Sequence, residues 1–228
     1  MNCLVVIPAR GGSKRIPNKN RTMLAGIPLI THTLNCVRNA GLIDITVVST
    51  DDADISQVAK SAGFKVISRP EYLATDGATT ESVLLHAIDQ HVNAGNTPPE
   101  WVMTLPPTSP LRLPSTVLKF FEQRQNTPKD VDCVMSVTEN RGDFWFYDNR
   151  REFKRLFPQA PRRQQDRSPL YEENSAIYIT RVPALRKTKL ILGNTVVGMP
   201  ISHFEALDIN IIEDLELAEA IILYRKLS

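Results

Sequence analysis

Two periods of apolar and polar positions alternate along this chain, and the switches between them mark out its elements. "LVVI" at 4–7 is an unbroken apolar run and predicts a strand over 3–8, buried on both faces. Over 29–40 the apolar residues Ile30, Leu34 and Val37 recur at helical spacing. A β-rich run covers 45–49, after which Asp51 or Asp52 can cap a helix that ends at Gly63. Strand patterns return at 65–68, 101–105 and 133–138, and helical ones at 80–93 and 114–125. This alternation predicts an α/β fold, a mostly parallel central sheet with helices on both faces. Such folds bind ligands beyond the carboxyl ends of their strands, so the loop after the first strand lies on the functional edge.

The rhythm breaks over 139–173. Six of the chain's fifteen aromatics fall within fourteen residues there: Phe144, Trp145, Phe146, Tyr147, Phe153 and Phe157. Strand patterns resume at 176–180 and 195–200, and an amphipathic helix is expected over 212–226. A segment outside the main sheet, rich in aromatics and arginine, has the composition of an interface. It predicts a homodimer built through 139–173, within a single domain over 1–228. The plain alternative is that the aromatics fold back onto their own domain.

Composition narrows the class. A chain of 228 residues can carry one sizeable core, and 23% charged residues with a net charge of +2 is ordinary for a soluble domain. No global field points to nucleic acid or to a membrane. No apolar run approaches the roughly 20 residues needed to span a bilayer, and "MNCLVVIPAR" is too short for a signal peptide. Cys3, Cys36 and Cys133 are odd in number and widely spaced, which suits neither a disulfide framework nor zinc and points to a reducing cytoplasm. His86 and His91 are five apart and do not share a helix face.

Charge is instead concentrated locally. Between Arg10 and Arg21 there are five cationic residues, Arg10, Lys14, Arg15, Lys19 and Arg21, and no acidic one, around the pair Gly11-Gly12. Glycines let backbone N–H groups converge on an anion, and Arg and Lys add charge, so the loop reads as a phosphate cradle. Neither GxxxxGK[ST] nor GxGxxG is present, which removes support for a P-loop or a dinucleotide site. A solvated basic loop is the plain alternative. Nucleic acid is disfavoured, because the loop lacks interleaved aromatics and the domain is nearly neutral.

"IPARGGSKRIPNKN" at 7–20 resembles the signature of the acylneuraminate cytidylyltransferases, the CMP-sialic acid synthetase family. "VVSTDD" (47–52), "RPEYLATDGATT" (69–80), "PPTSPLR" (106–112), "PRRQQ" (161–165), "ENSAIYI" (173–179) and "LDINIIEDLELAE" (207–219) follow in that family's order across nearly the whole chain. The resemblance implies a Rossmann-like nucleotidyltransferase fold and transfer of CMP from CTP to the anomeric hydroxyl of a nine-carbon 2-keto sugar acid, with release of pyrophosphate. It also implies Mg²⁺ or Mn²⁺, and a dimer whose inserted segment covers the neighbour's sugar site.

By the same resemblance, Arg10, Lys14 and Arg163 are catalytic candidates. Gly11, Gly12, Ser13, Lys19, Asn20, Arg69 and Thr80 would bind CTP. Pro106, Arg163, Asn174 and Tyr178 would lie at the sugar, and Asp208 with Asn210 at the metal. Each has a plainer reading. Arg69 precedes a proline and could be a surface residue, Thr80 could be a helix N-cap, Arg163 a rim salt bridge, and Tyr178 buried structure.

Two positions depart from the family pattern. Pro106 stands where a glutamine is usual, which removes a side-chain donor. Asn210 replaces the second acid of an Asp-x-Asp pair, and "NIIE" at 210–213 reads as a capping box with Asn210 at N-cap and Glu213 at N3. Two alternatives stay open: a nucleotidylyltransferase for an eight-carbon keto-acid, and a non-catalytic nucleotide-binding module. The opening loop and "RRQ" count against the first. Asn210 favours the second, while Arg10, Lys14, Lys19 and Arg163 oppose it.

Overall fold

A computed structural model describes residues 2–227. The chain opens with β1 (Cys3–Pro8), a loop, and a small hairpin of β2 (Met23–Leu24) and β3 (Ile27–Pro28). α1 (Leu29–Asn39), β4 (Thr46–Thr50), α2 (Ala53–Ser61), β5 (Lys65–Ser68), α3 (Thr80–Asn93), β6 (Trp101–Thr104) and α4 (Pro114–Gln123) follow. Then come β7 (Cys133–Asn140), β8 (Trp145–Tyr147), β9 (Phe153–Arg155), β10 (Leu170–Arg181), α5 (Val182–Thr188), β11 (Val196–Pro200) and α6 (Ile212–Leu227).

Seven strands form one sheet in the order β11-β7-β10-β6-β1-β4-β5. β10 alone runs antiparallel to its neighbours β6 and β7; the other pairings in the sheet are parallel. β1 shows why "CLVVI" is apolar throughout. Val5 and Ile7 pack with Ile30, Leu34 and Val37 of α1, Ile55 of α2 and Phe120 of α4 on one face. Leu4 and Val6 pack with Leu84, Ala87 and Ile88 of α3 and Leu185 of α5 on the other. Helices therefore cover both faces, and a two-residue period would have had no solvent side to show. A third cluster joins Ile16 of the opening loop to Leu24, Leu29, Leu111, Ile209 and Ala218, which fixes the loop against α6. Cys3, Cys36 and Cys133 are buried and unbridged.

Several boundaries differ from the sequence expectation. β10 begins at Leu170 rather than near 176: Leu170 pairs with Asn140 and Glu173 with Val137, so β7 and β10 form a stem that keeps both ends of the 139–173 segment in the sheet. Residues between the two strands lie outside it, where β8 and β9 pair as a separate hairpin. The aromatics of that hairpin do not fold back onto the domain. Trp145 is 45% exposed, Tyr147 71% and Phe153 58%, and Trp145 stacks on Phe153 at 5.2 Å between ring centroids. Asp143 anchors the hairpin by accepting from Arg155 at 2.7 Å and from Arg167 at 3.3 Å.

Two helix caps also differ. The N-cap of α3 is Thr79, whose hydroxyl accepts from the Ser82 N–H at 3.2 Å, and Thr80 is already helical. The expected capping box at 210–213 does not form. α6 begins at Ile212, so Asp214 is its third residue, and Asp214 reaches back to the N–H groups of Asn210 (2.8 Å) and Ile211 (3.0 Å).

Candidate active site

The opening loop lies beyond the carboxyl end of β1, at the edge the α/β topology selects. Its first glycine is required by a close approach. A Cβ on Gly11 would stand 2.6 Å from Oδ2 of Asp52, the residue whose other carboxylate oxygen caps α2 through the Ile55 N–H at 2.9 Å. The Gly11 N–H is given to Asp51 Oδ1 at 3.1 Å. Gly11 therefore shapes the loop with its N–H taken by a carboxylate, whereas Gly12 and Ser13 line the cleft.

That cleft is a cavity of about 620 Å³. Arg10, Gly12, Ser13, Lys14, Arg15 and Lys19 of the opening loop line it together with Asn20, Arg69, Asp76, Thr79, Thr80, Pro106 and Thr108. Lys19 donates to the Ile209 carbonyl at 2.6 Å, and burial holds its pKa below the usual lysine value, opposed by nearby Asp208. Arg10 and Lys14 both meet Asp76: Arg10 Nη2 lies 2.8 Å from Oδ1, and Lys14 Nζ 2.6 Å from Oδ2.

Within the cleft, Asn20 is buried. Its amide nitrogen donates to the Arg10 carbonyl at 2.8 Å, while its Oδ1 has no protein partner among the described residues. An orphaned, buried acceptor lining a cleft suits a ligand that donates, such as an exocyclic amine. Arg69 is also buried, at 6% exposure, which removes its surface reading. Its guanidinium donates to the Ser49 carbonyl at 2.7 Å and the Ser49 hydroxyl at 3.3 Å, and burial pushes its pKa down to about 10.

The remaining candidates divide between smaller cavities. Pro106 and Thr80 continue from the main cleft into a pocket of about 170 Å³ that also contains Thr104, Ser175 and Tyr178. The Pro106 carbonyl is fixed by the buried Arg112, which donates to it at 2.8 Å and to the Ala176 carbonyl at 2.7 Å. Tyr178 is nearly buried. Its hydroxyl contacts Glu173 and lies 3.1 Å from Ser175 Oγ, and burial with the Glu173 carboxylate raises its pKa well above the usual tyrosine value.

Asn174 lines a second cavity of about 370 Å³ with Glu172, His203 and Asp208. It also holds a bulge in β10, where Ser175 takes a positive φ of 57° and the register shifts. Its Oδ1 accepts from Ser136 Oγ at 2.6 Å and the Ala176 N–H at 3.2 Å, and its Nδ2 donates to Thr138 Oγ1 at 2.9 Å. Bulges of this kind re-aim side chains beside active sites, here Ser175 and Tyr178.

Two candidates stand apart. Arg163 is exposed and lines none of these three cavities, so its own chain does not bring it to the cleft. Asn210 donates from Nδ2 to Asp208 Oδ2 at 2.6 Å and turns its carbonyl to Arg15 Nη1 at 3.0 Å. Among the described residues no group of three acidic, histidine or cysteine side chains gathers there. One carboxylate and one amide are too few for a self-sufficient metal site, but they fit a cation that brings triphosphate oxygens as its other ligands. The sequence reading passed over Asp76 and Arg15 as site residues. A lone acid in "TDG", in a chain whose opening loop carries five cations, was the available signal.

The fold recurs in proteins of known structure. CMP:2-keto-3-deoxy-manno-octonic acid synthetase, solved with CTP, superposes with a TM-score of 0.68 at 17% identity, covering 99% of this chain and all of that one. The 4-diphosphocytidyl-2C-methyl-D-erythritol synthase of Anaerococcus prevotii gives 0.65 at 13% identity, over 97% of this chain and 98% of that one. At such identities the likeness is one of fold.

Sequence relatives are closer. The CMP-N,N'-diacetyllegionaminic acid synthase of Legionella pneumophila is 34% identical over 201 residues, 83% of this chain and 82% of that protein. The pseudaminic acid cytidylyltransferase of Campylobacter jejuni is 31% identical over 231 residues, 99% and 97%. The N-acylneuraminate cytidylyltransferase of Escherichia coli is 29% identical over 218 residues, 94% of this chain but only 51% of that protein. The chain thus spans about half the length of some of its curated relatives and nearly all of others. The cytidylyltransferase family profile matches residues 4–224, which takes in the basic loop, the buried Asn20 and Arg69 and the Asp208 segment alike, and the chain belongs to that family.

Proposed function

We propose that the protein transfers CMP from CTP to the anomeric hydroxyl of a nine-carbon 2-keto sugar acid and releases pyrophosphate. One observation carries the reading: a single cleft is lined both by the cations Arg10, Lys14, Arg15 and Lys19 and by the buried Asn20, whose Oδ1 has no protein partner among the described residues, with buried Arg69. A triphosphate needs the first and a pyrimidine base the second. The sugar hydroxyl attacks the α-phosphorus in line and loses its proton as the bond to pyrophosphate breaks. Catalysis is then positioning and charge stabilisation. Arg10 and Lys14 neutralise charge on the α-phosphoryl and the departing pyrophosphate, and the Gly12 and Ser13 backbone completes the cradle. Asp208, with Asn210 beside it, would hold Mg²⁺ or Mn²⁺, which supplies Lewis-acid charge when bound. Relatives named for N-acylneuraminate, legionaminic and pseudaminic acid support the acceptor class.

The exposed hairpin supports a homodimer, in which Arg163 and the β8–β9 aromatics would cover the partner's sugar pocket. No described helix is long and apolar enough to cross a membrane. The unbridged, buried thiols suit a reducing compartment, and we place the activity in the cytoplasm. Pyrophosphate release from CTP, measured with a panel of sialic, legionaminic and deaminated acids, tests the assignment. Turnover with at least one is expected. CTP binding without turnover on any of them would leave a nucleotide-binding module instead.

A further inference from the structure

Asp76 occupies an unusual place for a carboxylate. It lies on the wall of a cleft otherwise dominated by cations, and its two oxygens are divided between Arg10 (2.8 Å) and Lys14 (2.6 Å). Two oxygens of one carboxylate present to two cations much what two oxygens of one phosphoryl group would present. Arg10 also reaches the Ala74 carbonyl at 3.4 Å, so the same turn holds both its nitrogens.

We propose that Asp76 is an internal counter-anion seated where a phosphoryl group of the nucleotide binds, so that CTP enters by displacing it and Asp76 sets the affinity for the triphosphate. The inference rests on the reading of the cleft as a triphosphate site. A bound triphosphate and the Asp76 carboxylate cannot share Arg10 and Lys14 without like charges in contact, and the group of higher charge takes the cations. The pairs are weak enough to yield, since Lys14 is 82% exposed and Asp76 45%. The turn can also move at little cost. Apart from its contacts with Arg10 and Lys14, its hydrogen bonds, Ala78 N–H to the Thr75 carbonyl and Thr75 hydroxyl to the Tyr72 carbonyl, close within the turn itself and tie it to no strand. While the cleft is empty, Asp76 keeps two catalytic cations extended towards each other and spares them mutual repulsion.

The test is calorimetric binding of CTP, inorganic tripolyphosphate and uncharged cytidine to the wild type and to Asp76→Asn, at fixed magnesium. The variant should bind CTP and tripolyphosphate roughly fivefold more tightly, which is about 1 kcal/mol at about 1.4 kcal/mol per decade. Cytidine affinity should not move, and Asp76→Glu should restore the wild-type values. Equal or weaker binding of both anions by Asp76→Asn overturns the proposal, as does an equal gain for cytidine, which would mean a reshaped base pocket. If the wild type bound tripolyphosphate but not CTP, the nucleotide reading would fail, while the tightening of tripolyphosphate would still uphold Asp76 as the displaced anion.

Discussion

The Arg10 side chain is one-third exposed and, among the described residues, bonds to Asp76 and at long range to the Ala74 carbonyl, so its side-chain bonds contribute little to the fold. Arg10→Ala should change unfolding free energy by about 0.5 kcal/mol or less, yet lower kcat/KM roughly 100-fold or more, because a preorganised charge is lost from the transition state. Near-normal turnover in that variant would sink the role given to the loop. Asn210 calls for a different experiment. Asn210→Asp restores a second carboxylate beside Asp208 and should lower the magnesium concentration needed for half-maximal rate. An unchanged requirement would place position 210 outside the metal's reach. At this scale the motifs located Asn20, Arg69 and Lys19, because those residues belong to contiguous strings. They did not reveal that Arg69 is buried, that Gly11 spends its N–H on Asp51, or that Asp76 sits on Arg10. Each of these depends on a partner 20 to 66 residues away along the chain.

Elements were legible wherever burial imposes a period. Strands β1, β4, β6 and β7 are apolar runs because helices lie on both sides of them, and α1 and α4 show their inward stripe. The start of β10 was not legible. Leu170 to Glu173 are all exposed, so neither face of that stretch carries a pattern. The short α5 was missed as well, although Pro183 in its first turn was a start signal. At α6 the spacing of "NIIE" pointed to Glu213 as the capping acid. The helix begins at Ile212 as expected, but Asp214 rather than Glu213 accepts from the N–H groups that precede it. The junction of loop and helix at Gly11 gives this scale its prediction. Gly11→Ala drives a methyl into Asp52, displacing the N-cap of α2, and should cost about 1–3 kcal/mol by urea unfolding. Stability within 0.3 kcal/mol of wild type, which is inside the ordinary scatter of surface changes, would show that the loop relaxes without disturbing the cap.

For the molecule as a whole, the hairpin β8–β9 sets the expectation. Trp145, Tyr147 and Phe153 present one exposed aromatic surface on a hairpin braced by Asp143, and soluble proteins seldom leave such a patch uncovered. Sedimentation at low micromolar concentration should report a dimer, and Trp145→Glu should weaken it. The same change should raise KM for the sugar acid more than for CTP, since Arg163 reaches no cavity of its own chain. A fully active monomer would exclude that arrangement. The sequence pointed to this segment through its broken rhythm, its composition and the family resemblance; whether it meets a second copy is a matter of assembly, which no period within one chain records.

The reversed direction of β10 has a bearing on how the chain comes to be folded. β6 and β7 never touch each other along their lengths; β10 lies between them and bonds to both. On a ribosome, β1, β4, β5 and β6 emerge as a four-stranded half with an open rim, and β7 follows some thirty residues ahead of the strand that will join it to them. Until residue 181 has been made, both rims are unpaired backbone, the form of surface most prone to join a neighbouring chain. The seam that joins the two parts of the sheet is thus also the strand that carries Asn174, Ser175 and Tyr178, so the pocket around them cannot exist before that seam closes.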